Sequence, residues 1–404
     1  MVLSKEKITV LYADEAIAFG GSLVVVGHLV DAIDKDQFRP VVVGAMGVDR
    51  LKKYIQQTVP VYSIPRLYNY AHWAKTITII NRIPVRLVRK ILNYLLSLVR
   101  VLLNSLYLAR LSRVIIKEKV AVIHVNNGMN NLASVLAAVL LRRSFVVHIH
   151  GRDNPGFIQR RLISRVSRFI VISEYVKERL VKNGFPEDRM IVIPNPVRPE
   201  PVLQDEVKGL RKHYGIKEND RVLGIVGRIV RWKGHVEFLQ AANIVMKTIP
   251  ELKLLIVGDY SDGEKAYQDK ITSMVEEGDF KDRVIFTGYV KNVGEHYSLM
   301  DVCVHASIEP EPFGLVITEA MSYGVPVVAS DRGAPREIIT DGEDGYLVNP
   351  EASGVFAERI IGLLANEDQR CRMGEKGKEH VLKYYPLGAY GRKMERVYQE
   401  VLGR

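Results

Sequence analysis

Two carboxylates and two cations stand out by type and spacing. Glu311 and Glu319 lie eight residues apart in the segment Glu309–Val327, just beyond the strand-like run Val302–His305. Pro312-Phe313-Gly314 reads as a turn that opens a helix. The unpaired amides of a helix start, helped by its dipole, form an anion site. A carboxylate at such a start and another two turns in are spread along the axis by up to ~12 Å. That span suits holding two ends of one extended ligand better than sharing one proton. Glu309 lacks the spacing that pairs Glu311 with Glu319. Arg228 and Lys233 follow a second strand-like run, Arg221–Val226. A guanidinium fork beside an ammonium suits a diphosphate, above all one that gains charge as it departs.

The elements that must position these groups are short β-branched runs alternating with helix-length segments, the pattern of βαβ units and parallel sheets. The first half offers strands at Ile8–Tyr12, Val41–Gly44, Val59–Ile64, Val120–Val125, Phe145–His150, Phe169–Ile172 and Met190–Ile193. The second half offers Arg221–Val226, Lys253–Val257, Val284–Phe286, Val302–His305 and Val325–Ala329. Between the halves, four prolines in 194–201 exclude helix and limit strand pairing, so this stretch reads as a linker. A chain of 404 residues accommodates two such domains, each with a full core. The expected division is 1–195, 196–385 and a terminal helix in 386–404 that crosses back to the first domain.

Composition excludes disorder, collagen-like repeats and a disulfide scaffold. Two cysteines, Cys303 and Cys371, give no disulfide framework and point to a reducing cytosol. The apolar run Ile8–Tyr12 is too short for a secretory leader, so none is expected. The net charge of +11 is unevenly spread: residues 1–200 carry +16 and residues 201–404 carry −5. Arg50–Lys117 holds 13 basic residues and no acidic one, so something anionic is expected to meet this part. Nucleic acid is disfavoured, because the basic half lacks interleaved aromatic platforms. Within 84–113, polar residues recur at Arg86, Lys90, Asn93, Ser97, Arg100, Asn104 and Tyr107, a helical period in otherwise apolar sequence. Its uncharged runs fall short of the ~20 residues that span a bilayer. Two readings stand: an interfacial helix on an anionic membrane surface, or a helix packed on its own sheet.

Taken together, these segments resemble the retaining nucleotide-sugar glycosyltransferases of the GT-B fold, family 4 (glycosyl transferases group 1), over essentially the whole chain. Glu311 and Glu319 match that family's Glu-x7-Glu motif, and Arg228 and Lys233 its Gly-Arg…Lys-Gly motif. Gly20-Gly21 is similar to its glycine loop, Ile172-Ser173-Glu174 and Val192-Ile193-Pro194-Asn195 to its signatures before the linker, and Phe286–Val290 to its base-binding turn. The resemblance implies an α/β GT-B fold of two doubly wound, Rossmann-like domains facing a central cleft. It also implies a hexosyltransferase with a UDP-, GDP- or ADP-sugar donor, no other cofactor and no metal. Arg228 and Lys233 would clamp the donor diphosphate, and Gly20 and Gly21 would let backbone approach it. The amides of Phe313, Gly314 and Leu315 would hold diphosphate and sugar. Glu311 would take donor-sugar hydroxyls, Glu319 the ribose hydroxyls and the backbone of Val290 the base. His150 would face the sugar, whereas His124 and His148 read as buried, hydrogen-bonded side chains.

Departures are few. Asn195 is followed by Pro196 where Gly is common, and Tyr260 stands where a second Gly is often found. Asp34-Lys35-Asp36 mimics a metal-binding Asp-x-Asp but sits between the first helix and second strand, where a solvated turn is expected. The acceptor is expected to be a glycan, lipid-linked or part of the cell envelope. The enzyme is expected in the cytoplasm, peripheral on the inner face of the cytoplasmic membrane. An epimerase or a sugar phosphorylase of the same fold is the alternative enzyme. A non-enzymatic protein binding sugar nucleotides is the alternative outside enzymes.

Overall fold

The computed structural model describes residues 6–15, 21–56, 58–66, 79–80, 84–260, 264–278, 280 and 282–404. The chain divides into two compact units, Met1–Ile172 with Val176–Ile193 and Gly388–Arg404, and Pro194–Leu387 with Ser173–Tyr175. Each unit is built on one parallel sheet.

In the first unit the strands are β1 Ile8–Asp14, β2 Phe38–Gly44, β3 Val61–Ser63, β4 Val122–Val125, β5 Ser144–Ile149, β6 Arg168–Val171 and β7 Met190–Val192. They lie in the order β3-β2-β1-β4-β5-β6-β7. Val10, Leu11, Val41, Val42, Val122 and Ile123 are fully buried, as expected for strands covered on both faces. The last helix, Leu387–Val401, buries Tyr390, Met394, Val397 and Tyr398, one stripe at helical spacing. It packs within this unit: a Cβ on Gly391 would stand 2.5 Å from the carbonyl oxygen of Ala32, and the Tyr398 hydroxyl lies 2.8 Å from His124 Nδ1.

In the second unit the strands are β8 Arg221–Val226, β9 Leu252–Val257, β10 Val284–Gly288, β11 Val302–His305, β12 Val327–Ser330 and β13 Tyr346–Val348. Their order, β10-β9-β8-β11-β12-β13, repeats the arrangement of the first unit. Helix His235–Val245 seats Val236, Phe238, Leu239, Ala242 and Val245 against this sheet, with Phe356 and Ile360 of helix Ser353–Ala365 in the same core. Truncating a fully buried phenylalanine such as Phe238 to Ala costs about 3–5 kcal/mol.

In each sheet the order reverses once, between β1 and β4 and between β8 and β11. In doubly wound folds, ligands bind outside the strand C-termini at that switch point.

Helix Arg86–Lys117 shows features of both readings drawn from its sequence. Its C-terminal part is anchored by buried Tyr107, Leu111 and Ile115. Further toward its start, Leu87, Ile91, Tyr94, Leu95, Leu102 and Leu106 are exposed by 44–68%. Their spacing places them on one stripe, opposite the anchored line. Among the described residues, no helix is long and apolar enough to cross a membrane.

Candidate functional site

The loop after β8 runs through Gly227 and Arg228 into a short 3-10 turn, Arg231–Lys233. Gly234 then opens helix His235–Val245 in left-handed conformation, φ +73°, and its Cα faces the carbonyl oxygen of Ala306. A Cβ there would stand 1.8 Å from that oxygen, so only glycine lets the β8 and β11 loops meet. Ile308 N–H donates to the Trp232 carbonyl at 2.9 Å and fixes the same junction. Lys233 is delivered onto Glu311, Nζ to Oε2 2.7 Å, with its ammonium 4.1 Å from the Trp232 ring centre. Arg228 is exposed and, among the described residues, has no ionic or hydrogen-bonding partner.

Glu311 sits in the loop after β11 and not on the helix that follows, a correction to the helix-start placement expected from the sequence. Pro312 biases the preceding Glu311 away from helical backbone, and Gly314 adopts φ +106°, so the helix begins only at Leu315. Loop backbone holds Glu311 instead: its N–H donates to the Arg332 carbonyl and its carbonyl accepts from Ala334 N–H, both at 3.0 Å. The carboxylate is buried, and one oxygen takes every contact. Oε2 accepts from Lys233, from His305 Nε2 at 3.0 Å and from the Ser307 hydroxyl at 3.1 Å. Oε1 has no partner among the described residues. Burial alone would push this carboxyl up, but Lys233 and the His305 hydrogen bond outweigh it and hold Glu311 well below the usual carboxylate range. Burial lowers His305 in spite of Glu311, so it serves as a neutral Nε2–H donor.

Helix Leu315–Ser322 starts without a side-chain cap. The amides of Phe313, Gly314, Leu315 and Val316 have no acceptor among the described residues, which leaves an open anion-binding helix start. Phe313 itself is buried edge-on against Tyr385, 5.8 Å between ring centres. Glu319, half-buried in the second turn, accepts from the Tyr297 hydroxyl at 3.0 Å. Burial pushes its carboxyl up to about 7 against that hydrogen bond. Glu309, by contrast, is exposed. Val290 follows β10, half-buried, beside exposed Tyr289.

In the first unit, Gly21 opens helix Gly21–Ala32, while Gly20 lies outside the described residues. His150 follows β5, and its Nε2 lies 2.7 Å from Asn126 Oδ1. His124 and His148 are buried and bonded to each other at 3.2 Å, and burial brings His124 and His150 down to about 3. Asp34 is tied into its own turn by Asp36 N–H and Gln37 Nε2. Among the described residues, no group of three or more His, Cys, Asp or Glu side chains could hold a metal ion.

The structure thus brings Lys233, Glu311 and the open helix start together in the second unit, with Arg228 on the same loop as Lys233. Gly21 and His150 belong to the first unit. Sequence reasoning passed over His305 and Ser307, which hold Glu311, and Asp14 and Asn126, which hold His150. The signal for His305 was its place as the last residue of a strand, six before Glu311.

Two family models match consecutive parts of the chain: Glycosyltransferase Family 4 over residues 19–201 and Glycosyl transferases group 1 over residues 207–380. The chain is 27% identical over 306 residues to N-acetyl-alpha-D-glucosaminyl L-malate synthase of Bacillus anthracis, covering 73% of this chain and 78% of that protein. It is 30% identical over 246 residues to lipopolysaccharide 1,2-N-acetylglucosaminetransferase of Salmonella typhimurium, covering 59% of this chain and 62% of that one. Several other relatives are matched over about half their length. Among solved structures, Anabaena HepE in complex with UDP and glucose superposes with TM-score 0.78 at 20% identity, covering 96% of this chain and 98% of that one.

Proposed function

From the premise that this chain belongs to glycosyltransferase family 4 and has the GT-B fold, we propose that it moves a hexose-type sugar from a nucleoside diphosphate donor to an acceptor hydroxyl with retained anomeric configuration. The observation that carries the reading is the Lys233–Glu311 pair at the β8/β11 switch point, with exposed Arg228 on the same loop as Lys233 and a helix start that has no side-chain cap among the described residues. Arg228, Lys233 and the amides of Phe313, Gly314 and Leu315 would grip the diphosphate. Glu311 Oε1 would accept from sugar hydroxyls, Glu319 from the ribose, and the backbone of Val290 would meet the base. Gly20 and Gly21 would admit the phosphates, and His150 would face the sugar.

In the step, the bond from the anomeric carbon to the diphosphate oxygen breaks while the acceptor oxygen bonds that carbon from the same face. The acceptor proton passes to the departing diphosphate, whose growing charge Arg228 and Lys233 neutralise. With those cations at the leaving group, no metal ion is needed. No Asp or Glu is assigned the place beneath the anomeric carbon, since Glu311 is given to the sugar hydroxyls and Glu319 to the ribose, so attack from the same face is preferred to a covalent intermediate.

The test follows nucleoside diphosphate release with UDP-, GDP- and ADP-sugars, with and without a chelator, and reads the product's anomeric configuration by NMR. A UDP-sugar leads the panel, since HepE was solved with UDP and glucose and with UDP-glucose. The acceptor would be a cell-envelope glycan, in keeping with relatives such as the lipopolysaccharide transferase. Inverted product, or loss of turnover on chelation, contradicts the mechanism. Phosphate-dependent sugar release, or an epimerised donor without acceptor, would instead support the phosphorylase or epimerase reading, which relatives named as transferases and synthases do not favour.

The exposed stripe of helix Arg86–Lys117 supports a second element of the proposal, docking on an anionic bilayer in the cytoplasm. Leucine, isoleucine and tyrosine side chains would enter the interface, while the surrounding acid-free sequence meets headgroups at about 1 kcal/mol per cation. Flotation with anionic vesicles is expected to fall when Leu87, Ile91, Leu95 and Leu102 become Ser, and when Arg86, Lys90 and Arg100 become Gln. Unchanged flotation, or self-association in place of it, overturns this element.

A further inference from the structure

We infer that Asp14 and Asn126 are positioning residues that fix His150 with its proton on Nε2, leaving Nδ1 to accept a hydrogen bond from a hydroxyl. The inference rests on the proposed reading that His150 faces the sugar, and it names what that imidazole can and cannot do there.

Strand order supplies the juxtaposition. β1, β4 and β5 are consecutive in the sheet, and their C-terminal ends deliver Asp14, Asn126 and His150. Asp14 and Asn126 are buried, at 3% and 0% exposure. A carboxylate can only accept, so the group that Asn126 turns toward Asp14 must be its NH2. That contact is 2.8 Å, Nδ2 to Oδ2, and the same Nδ2 lies 3.4 Å from the Ser22 carbonyl oxygen. The orientation of the amide is therefore dictated, and its Oδ1 faces His150 Nε2 at 2.7 Å. An amide oxygen also only accepts, so Nε2 must carry the hydrogen.

Backbone geometry reinforces the lock. Successive side chains of an extended chain point to opposite sides. Asn127 adopts φ +64°, a left-handed conformation that asparagine tolerates better than most residues, and its Nδ2 reaches the other oxygen of Asp14 at 3.0 Å. Two consecutive amides thereby anchor one carboxylate. The doubly protonated ring is opposed by burial, which brings His150 down to about 3. A neutral imidazole with Nε2–H engaged has a bare Nδ1. It can orient a sugar hydroxyl by accepting its hydrogen, and it cannot donate a proton to the leaving group.

The test uses the full chain labelled with 15N-histidine, one of ten histidines being identified as His150 by its loss in H150Q. The wild type is expected to give a protonated Nε2 and a bare Nδ1. Asn126→Ala should populate the other tautomer, and Asp14→Asn should do so partly by freeing the amide to turn over. The exchange Asp14→Asn with Asn126→Asp should restore the wild-type pattern, because the new amide at 14 donates to the new carboxylate at 126, which again offers His150 an acceptor. Turnover should fall at least about tenfold in Asn126→Ala and recover in part in the exchange of Asp14→Asn with Asn126→Asp. A wild-type Nδ1–H, or a tautomer unmoved in both Asn126→Ala and Asp14→Asn, overturns the inference. Should Asn126→Ala not fold, Asp14→Asn carries the same test. Normal turnover of His150→Ala would refute the sugar-facing reading alone, since the tautomer is read without it.

Discussion

The two units share a strand order and differ in what they place at its point of reversal. At the β8/β11 switch the side chains are charged and, among the described residues, partly unanswered: Lys233 meets Glu311, Arg228 has no partner, and a helix start lacks a side-chain cap. At the β1/β4 switch the groups are short and polar and bonded to one another, with Asp14, Asn126, Asn127 and His150 in one hydrogen-bonded chain that ends on a neutral ring. The contrast runs against bulk charge, since residues 1–200 carry +16 and residues 201–404 carry −5. Topology tells where a ligand can be met; the loop side chains decide whether charge is neutralised or a hydroxyl is oriented. The basic excess of the first half is concentrated in Arg50–Lys117, of which Arg66 pairs with Glu15, the residue after β1.

That contrast can be broken most directly by removing the cations. Lys233→Ala and Arg228→Ala should each lower turnover by roughly 10²–10³, the cost of losing one donor aimed at developing charge. Steady-state kinetics on the preferred donor checks this, and an equal loss in His150→Ala would erase the distinction between the two sites. Glu311→Gln comes next. It leaves the Lys233 ammonium, its side chain 17% exposed, without its counter-charge. Turnover should fall by roughly 10–100-fold, and denaturant titration should find a loss of about 1–3 kcal/mol.

Glu319 sharpens the comparison through pH. The folded chain holds its proton up to about 7, against 4.5 for an ordinary glutamate. Its contribution to stability is therefore full below about pH 4.5 and is lost as the pH rises through about 7, a loss of no more than about 3 kcal/mol. Glu319→Gln has no such proton to lose. Its melting temperature should decline less than that of the wild type between about pH 5 and about pH 8; parallel declines contradict the assignment. The smallest effect belongs to Ser307→Ala. It removes one of three donors to Glu311 and should cost about 1 kcal/mol, measured by denaturant titration.

Much of this architecture is legible in the sequence because parallel strands are near-continuous apolar runs. β8 and β11 fall where the sequence places them, Arg221–Val226 and Val302–His305. β13, Tyr346–Val348, escaped because three residues between Gly345 and Asn349-Pro350 carry no period. Motif spacing found Lys233 and Glu311, whose contact the structure supplies at 2.7 Å. Spacing could not find Asp14 and Asn126, 112 residues apart and joined only by strand order. It also misplaced Glu311 onto the helix, since Pro312 and a left-handed Gly314 postpone the helix start. For helix Arg86–Lys117 the period was right, but which face is covered depends on what packs there. The apolar stripe is the uncovered one over its N-terminal two-thirds.

The measurement closest to the central claim is calorimetric titration of UDP-, GDP- and ADP-sugars into the wild type, Arg228→Ala and Lys233→Ala. The account predicts saturable binding of at least one of these donors by the wild type, weakened by about 1.5–3 kcal/mol in each variant, the worth of a charge-assisted hydrogen bond to the ground-state diphosphate. Failure of the wild type to bind any of them, or variants that bind as tightly as the wild type, would contradict it.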